Sequence, residues 1–336
     1  MHMTLSPLPE LAEILTHARV VTLPMVTRFR GITVREAVLL EGPEGWTEFS
    51  PFVEYDDAEA ANWLRAAIDF GWRPTPPVLR TSIPVNATIP GVDAAEVADI
   101  LARFPGCRTA KVKVAASDQT LAADIARVRA TREALGPEGR IRIDANGGWN
   151  VDEAEHALHA LAEFDLEYAE QPCATVGELA EIRRRTAYMG IPIAADESVR
   201  RAEDPLAVAA AGAADLLVIK AQPLGGIRRA IAIVERAGLP VVVSSALDTS
   251  IGLSMGAHLA ASIPELEYDC GLGTASLLAA DVTRDPLLAD GGAIAVRRVQ
   301  PDAALLGEYA AAPARRDWWI ARVARAYTQL ERERAL

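Results

Sequence analysis

Five charged residues, each at the end of a short apolar run, constrain the fold of this chain most. They follow one another at steps of 31, 26, 26 and 24 residues, and they are Lys113, Asp144, Glu170, Asp196 and Lys220. Each run is typical of a β-strand, and each gap holds one helical pattern. Repeated strand–helix units of this length build a parallel sheet covered by helices, and closing the sheet into a barrel puts all strand ends on one face. The spacing therefore predicts that three carboxylates and two lysines meet in one pocket.

The same rhythm predicts an α/β fold with a single barrel. The first barrel strand is expected over 83–89 and the eighth over 266–270, with seven helices between them. This pattern indicates a (β/α)7β modified TIM barrel that spans 83–293 and carries the active site.

The two ends of the chain do not follow the rhythm. Residues 1–82 indicate antiparallel strands and a helix, and the stiff segment 71–77, rich in proline, precedes the boundary. A strand over 294–299 and a helix with two tryptophans are expected in the tail. We therefore predict a separate α+β domain built from 1–82, with 294–336 folding back onto it.

Composition and charge exclude several classes of partner. Acidic residues outnumber basic ones by 46 to 34, which gives a net charge of −12, and half of the residues are hydrophobic. Nucleic acid and an anionic membrane surface are therefore not expected as partners. The expected partner is instead a small-molecule substrate bound in the pocket at the strand ends. The first residues lack the apolar core of a signal peptide, and three distant cysteines lack zinc-site spacing, so a reducing cytoplasm is expected. The oligomeric state cannot be read from the sequence.

The three carboxylates predict a metal site. Asp144, Glu170 and Asp196 would repel one another at adjacent strand ends unless a cation neutralised them. Oxygen ligands with room for water and substrate suit Mg²⁺, for which Mn²⁺ can substitute. Asn146 and Glu197, beside these ligands, are candidates to orient the metal ligands by hydrogen bonds. A role limited to hydrogen bonds within their own loops stays open.

The lysines predict proton transfer. Lys111 and Lys113 share one face of their strand, and inward-pointing lysines are costly to bury without a task. Nearby cations disfavour the protonated form of Lys113, which would make it a usable base. Lys220 is expected four strands away, on the opposite side of the barrel. The alternative, that these are structural lysines paired with the acids, also remains open.

The five motifs together resemble the enolase superfamily, and in particular its muconate lactonizing enzyme branch. They are Lys111-x-Lys113, Asp144-Ala-Asn146, Glu-Gln-Pro at 170–172, Asp-Glu-Ser at 196–198, and Lys220. The resemblance covers nearly the whole chain and implies a capping domain on a barrel. It also implies that Mg²⁺ holds a substrate carboxylate and stabilises the enediolate formed when a base removes the α-proton. By analogy, Lys113 would be that base and would then protonate the leaving hydroxyl, while a charged Lys220 would stabilise the enediolate from the other face.

Within the branch, the sequence is similar to the members that eliminate water from a cyclohexadiene carboxylate. The supporting segments are 28–31, 48–51, 244–252 and 271–274, and the end of strand seven lacks the histidine that other members use as a base. Ser244, Ser245 and Arg28 are candidate substrate contacts. Ser244 and Ser245 could instead simply end a strand, and Arg28 could lie at the domain interface.

Two alternatives to water elimination also fit the sequence, an isomerase on the same scaffold and a non-catalytic barrel. An N-acylamino acid racemase or a dipeptide epimerase on the same scaffold would also use two opposed lysines. The Asp-x-Asp pattern expected of the epimerases is missing from 268–271, which counts against that activity. A non-catalytic binding or scaffolding barrel is the third possibility, and it would not need both lysines and all three acids.

Overall fold

The computed structural model describes residues 8–29, 31–200 and 204–335. The N-terminal part contains a short helix, three strands and a long helix. These are α1 (Leu11–Thr16), β1 (Arg19–Phe29), β2 (Ile32–Gly42), β3 (Gly45–Phe49) and α2 (Asp57–Trp72). The strands form an antiparallel sheet in the order β1-β2-β3. The side chain of Asp56 begins α2 by accepting a hydrogen bond from Glu59 N at 2.7 Å, as expected of an N-cap aspartate.

The central part alternates strands and helices. Its elements are β4 (Ser82–Pro84), β5 (Ala87–Ile89), α3 (Val97–Leu101), β6 (Thr109–Lys113), α4 (Leu121–Leu135), β7 (Arg140–Asp144), α5 (Val151–Leu161), β8 (Leu166–Glu170), α6 (Val176–Thr186), β9 (Ile193–Ala195), α7 (Asp204–Ala210), β10 (Leu216–Ile219), α8 (Ile227–Ala237), β11 (Val241–Val243) and α9 (Ser250–Ser262). Strands β5 to β11 form one parallel sheet in chain order. The predicted barrel fold is therefore confirmed.

The sheet closes through single bridges instead of a regular eighth strand. Cys270 pairs with Val85 and Gly271 pairs with Ser244, so residues 270–271 link the two edge regions. The prediction of a strand over 266–270 was therefore wrong in extent. Closure depends on a close approach, since a Cβ on Gly271 would lie 2.5 Å from the Ser244 hydroxyl oxygen.

The predicted first barrel strand over 83–89 was also wrong, because it is divided. β4 pairs antiparallel with β12 (Ala293–Ala295), and only β5 joins the parallel sheet. Pro84 has no N–H to donate to a ladder, which is consistent with the break after it. The strand predicted over 294–299 is the shorter β12.

The C-terminal segment continues with α10 (Ala303–Glu308) and α11 (Pro313–Ala335). α11 lies against the N-terminal elements: Trp319 meets the Phe49 ring edge-on at 6.1 Å. Arg322, almost fully buried, donates to the carbonyl oxygens of Phe52 and Tyr55 at 3.0 and 2.6 Å. The division into domains at 82 and 293 stays a prediction.

Buried apolar strands and helix faces form the core. Every residue of β10 is buried, as is almost all of α9, which lies between the barrel and β3. Burying these side chains supplies most of the driving force for folding. In the described part of the chain, no helix has the length and hydropathy needed to cross a bilayer.

Candidate active site

The chain contains three lysines, and all three line one cavity. Lys111 and Lys113 belong to β6, and Lys220 directly follows β10; three strands separate β6 from β10 in the sheet. The cavity has about 410 Å³ of empty volume at the C-terminal ends of the strands. The residues that line it are Phe29, Phe52, Thr88, Lys111, Lys113, Asn146, Asp196, Lys220, Ser244, Ser245, Ala246, Leu247, Gly271 and Thr274. The predicted convergence of lysines from opposite walls is therefore present.

The two lysines of β6 share one aspartate. Lys113 Nζ lies 2.5 Å from Asp144 Oδ2, and Lys111 Nζ lies 3.0 Å from the same oxygen. Lys111 also donates to Glu170 Oε1 at 3.0 Å. Neighbouring strands explain the geometry, because Lys113 and Asp144 are partners in the β6–β7 register, and Asp144 and Glu170 are partners in the β7–β8 register.

The third carboxylate pairs with the third lysine. Asp196 is 4% exposed and accepts a hydrogen bond from Lys220 Nζ. The side chain of Gln171 fixes this region, since its Oε1 accepts from the backbone N–H groups of Asp196 at 2.9 Å and Ser198 at 3.2 Å. Gln171 is fully buried and has a positive φ of 40°. Sequence reasoning noted it only within the motif at 170–172 and assigned it no role.

Burial and charge together set the protonation of the site. Burial alone would raise the pKa of Asp144, but Lys113 and Lys111 hold it well below its usual range. Burial also opposes charge on Lys111, yet Glu170 and Asp144 raise its pKa well above the ordinary value. Burial and the Lys111 ammonium instead lower the pKa of Lys113, against the pull of Asp144. The pKa values of the two lysines of one strand are therefore shifted in opposite directions.

The carboxylates repel one another. Burial, followed by the charge of Asp144, raises the pKa of Glu170 to about 8, and Asp196 adds to the shift. Burial opposes ionisation of Asp196 as well, but Lys220 and Arg200 lower its pKa to about 2. Three buried carboxylates whose charges act on one another are a site that attracts a cation.

The three carboxyl groups are the candidate ligands of Mg²⁺. Across the described ranges, no three carboxylate, imidazole or thiolate groups are already arranged as ligands of one ion. The lysine ammonium groups explain this, because they take the positions facing Asp144, Glu170 and Asp196. The chemistry of the set still fits, since it consists of three buried carboxyl groups, and oxygen donors of this kind are the ligands that Mg²⁺ takes.

Asn146 and Glu197 lie where the sequence predicted, beside the carboxylates. Asn146 Nδ2 donates to Glu197 Oε1 at 3.1 Å, and its backbone N–H donates to Asp144 Oδ1 at 3.0 Å. Arg200 also donates to Glu197 Oε1 and reaches the hydroxyl of Tyr55 at 2.6 Å. This chain of contacts joins the N-terminal part to the strand ends.

The predicted substrate contacts divide between two cavities. Ser244 and Ser245 line the lysine cavity, where the Ser245 hydroxyl lies 2.6 Å from that of Thr274. Arg28 is exposed and lines an adjoining cleft that shares Phe29, Lys113 and Asn146 with the first cavity. Arg30, two residues further along the chain, lies outside the described residues.

Sequence reasoning missed Phe29 and Thr274. The Phe29 ring centroid lies 5.3 Å from Lys113 Nζ, a cation–π distance. Thr274 follows the bridge residue Gly271 and faces Ser245. A signal for both was present, because each belongs to a segment that supported the resemblance, at 28–31 and 271–274.

Family models match both parts of the chain. Residues 93–302 match the enolase C-terminal domain-like family, and residues 20–71 match the enolase N-terminal domain-like family. The chain therefore belongs to the enolase superfamily, as its barrel, cap and strand-end charges indicate.

Curated relatives place it more narrowly. The o-succinylbenzoate synthase of Mycobacterium ulcerans is 54% identical over 323 residues, which cover 96% of this chain and 97% of the relative. The o-succinylbenzoate synthase of Mycobacterium tuberculosis H37Rv is 55% identical over 324 residues, with the same coverage. The chain is thus a member of the o-succinylbenzoate synthase family, and it is an enzyme of the hydro-lyase class.

Solved structures show the same fold at low identity. The muconate lactonizing enzyme from Pseudomonas putida superposes with a TM-score of 0.72 at 20% identity, covering 88% of this chain and 98% of that one. The N-succinyl Arg/Lys racemase from Bacillus cereus gives a TM-score of 0.73 at 21% identity, covering 88% and 97%. These likenesses confirm the fold, a modified TIM barrel with an N-terminal domain.

Proposed function

We propose that this chain removes water from 2-succinyl-6-hydroxy-2,4-cyclohexadiene-1-carboxylate by syn β-elimination, giving o-succinylbenzoate for menaquinone biosynthesis. Its similarity to o-succinylbenzoate synthases extends over 96% of the chain. The observation that carries the chemistry is the placement of Lys113 and Lys220 on opposite walls of one cavity above three buried carboxylates.

Lys113 is the proposed base and acid. As a neutral amine, its Nζ accepts the proton on C1 of the ring, and the C–H electron pair moves towards the carboxylate. The pair then forms the new ring double bond as the C6–O bond breaks. The Lys113 ammonium returns its proton to the leaving hydroxyl, so one water is released and the ring becomes aromatic. A single lysine acting on both atoms requires a syn elimination, and its lowered pKa suits the first step.

Asp144, Glu170 and Asp196 are the residues that would hold Mg²⁺, or Mn²⁺ in its place. The bound ion supplies positive charge next to the substrate carboxylate, where negative charge develops. Lys111 stays protonated between Asp144 and Glu170 and lowers the repulsion of these acids. Lys220, paired with Asp196, presents positive charge on the face opposite Lys113.

Substrate positioning is assigned to the far wall and to the adjoining cleft. The hydroxyl groups of Ser244 and Ser245 can donate to the succinyl carboxylate from the wall beside Lys220. Arg28 is proposed to attract the dianionic substrate at the cleft next to Phe29. Asn146 and Glu197 hold the strand-end loops, as their hydrogen bond indicates.

Racemization of N-acylamino acids is the second candidate, because the opposed lysines also fit a two-base exchange of an α-proton. The structure gives less support to dipeptide epimerization. Asp269, the aspartate within the predicted eighth strand at 266–270, accepts hydrogen bonds from Thr109 at 2.6 Å and Arg140 at 2.7 Å. Both partners begin their strands, so Asp269 lies at the end of the barrel away from the lysines.

The test is turnover of the cyclohexadiene substrate with Mg²⁺, followed by the loss of its absorbance, beside racemization of an N-succinylamino acid. Rapid dehydration that EDTA and Lys113→Ala both abolish would support the proposal. Rapid racemization without dehydration would assign the second candidate. Purified, folded protein with neither activity would contradict both.

A further inference from the structure

A buried arginine of the N-terminal sheet contacts the turn that forms one wall of the cavity. Arg35, on β2, is 3% exposed, and its guanidinium donates to the carbonyl oxygens of Leu247 at 3.0 Å and Ala246 at 3.2 Å. It also donates to Ser50 O at 2.5 Å, just after β3. One side chain thus joins two strands of the cap to the turn that follows β11.

The turn adopts a conformation that needs support. Leu247 has a φ of 61°, in the left-handed region that branched side chains rarely adopt. Such residues persist where their surroundings hold them in place, and they cluster at functional sites. The two carbonyl groups bound by Arg35 are those of Leu247 itself and the residue before it. Ser245, Ala246 and Leu247 all line the lysine cavity.

A second cap residue holds the other end of the turn. The carboxylate of Glu48 is fully buried and accepts from Thr249 N at 3.1 Å, from its hydroxyl at 2.5 Å and from Gly252 N at 3.2 Å. These groups belong to the start of α9, where the first N–H groups have no partner within the helix and need an acceptor. The contact is close, because a Cβ on Gly252 would lie 2.8 Å from Glu48 Cδ.

We propose that Arg35 is a positioning residue for substrate binding, which holds the turn at 244–248 in the strained conformation that shapes the cavity wall. The inference rests on the proposed function for the identity of the substrate. Arg35 acts through the turn, since its bonds go to Ala246 and Leu247 and to neighbouring residues of the cap. Its loss should therefore weaken binding of the ground state and transition state alike, raising KM more than it lowers kcat.

Arg35→Met is the direct test, and Arg80→Met is the matched control. Arg80 also donates to three carbonyl oxygens, those of Ala260, Ile263 and Pro264 at 2.7–2.9 Å, but at the far end of α9. We expect Arg35→Met to raise KM about tenfold or more with kcat within about threefold, and Arg80→Met to leave both nearly unchanged. Similar effects in the two variants would overturn the assignment.

Strain at Leu247 supplies a second test. Glycine adopts a positive φ without a steric cost, so the turn in Leu247→Gly should depend less on Arg35. Adding Arg35→Met to Leu247→Gly should raise KM several-fold less than it does in the natural chain. Equal increases in the two backgrounds would show that Arg35 does not support this residue. If Arg35→Met does not fold, Arg35→Lys serves instead, with an intermediate KM expected because an ammonium group offers fewer directed donors.

Hydrogen exchange separates this inference from the proposed function, because it needs no substrate. Amide exchange at 244–249 should accelerate in Arg35→Met and stay unchanged in Arg80→Met. Unchanged exchange there would overturn the proposal even if dehydration is confirmed. If the natural protein does not dehydrate the cyclohexadiene, the proposed function fails, while accelerated exchange still supports the role of Arg35 in holding the turn.

Discussion

Asn146 Oδ1 accepts a hydrogen bond from Lys113 Nζ at 2.7 Å. Because the amide of Asn146 also donates to Glu197, its orientation is fixed and it can direct the lysine it contacts. Asn146 has a φ of 48°, which asparagine tolerates better than most residues. The position of the proposed base therefore depends on a loop residue in a sparsely populated conformation.

Asn146→Ala should lower kcat about tenfold with a smaller change in KM, since the outer contacts that orient catalytic groups have effects of this size. Asn150→Ala is the control, because Asn150 lies four residues later, where its side chain caps α5 by accepting from Glu153 N. Steady-state kinetics of both variants provide the measurement. A loss of equal size in Asn150→Ala would show a general effect on the loop.

Lys113→Ala should lower the dehydration rate by a factor of about 10² to 10⁴, the range for removing a general acid–base. Lys113→Arg should be as inactive, because a guanidinium does not release its proton near neutral pH. Arg140→Ala, which removes a cation at the other end of the barrel, should retain most activity. Substantial activity in Lys113→Arg would contradict the assignment of the base.

Amine-selective acylation should distinguish the two lysines of β6. Their side chains are almost equally exposed, at 10% for Lys111 and 14% for Lys113, so access does not decide their reactivity. Their pKa values shift in opposite directions, and the neutral amine is the nucleophile, so Lys113 should react first in metal-free protein. Mass spectrometry of peptides from the labelled protein would show the order. Faster labelling of Lys111 would contradict the predicted charge states.

Mg²⁺ should raise the Tm of the protein, and EDTA should reverse the effect, because a ligand that binds the folded state stabilises it. Asp144→Asn should abolish the increase by removing one proposed ligand. Asp281→Asn is the control: Asp281 is half-buried and accepts a hydrogen bond from the Ser250 hydroxyl at the start of α9, so its loss should lower the Tm without abolishing the Mg²⁺ effect. An Mg²⁺ effect that persists in Asp144→Asn would place the ion elsewhere.

Local patterns in the sequence were sufficient to predict that the charged strand-end residues lie close together. Apolar runs that end in a charged residue define parallel strands, and parallel strands in register bring Lys113, Asp144 and Glu170 side by side. The closure of the barrel was not predictable in this way. Closure depends on two isolated bridges and on a close approach at Gly271. No local sequence pattern predicts that approach.

Contacts between distant segments were also beyond the sequence. Arg35 and Leu247 are 212 positions apart, and neither lies in a pattern that points to the other. The role of Gln171 was missed for a different reason: its bonds to Asp196 and Ser198 depend on how two loops fold over adjacent strands. Pairing of this kind is decided by tertiary packing, which residue spacing does not report.

The last prediction concerns stability and Glu48. Burial, and then the charge of Asp248, raise the pKa of Glu48 from 4.5 to about 7, against the effect of Arg35 and the hydrogen bonds from Ser50 and Thr249. The folded protein then keeps a proton that the unfolded chain releases. The resulting stability is fully present below about pH 4.5 and is lost as the pH rises through 7, a change of about 3 kcal/mol.

Glu48→Gln should remove most of this dependence, because the amide stays neutral and keeps an oxygen to accept from Thr249 and Gly252. The free energy of unfolding in urea, measured between pH 5 and 8, should fall more steeply in the natural protein than in the variant. Arg80→Met, which loosens the far end of α9, should instead lower the free energy by a similar amount at every pH. Parallel curves for the natural protein and Glu48→Gln would show that Glu48 titrates alike in the folded and unfolded states.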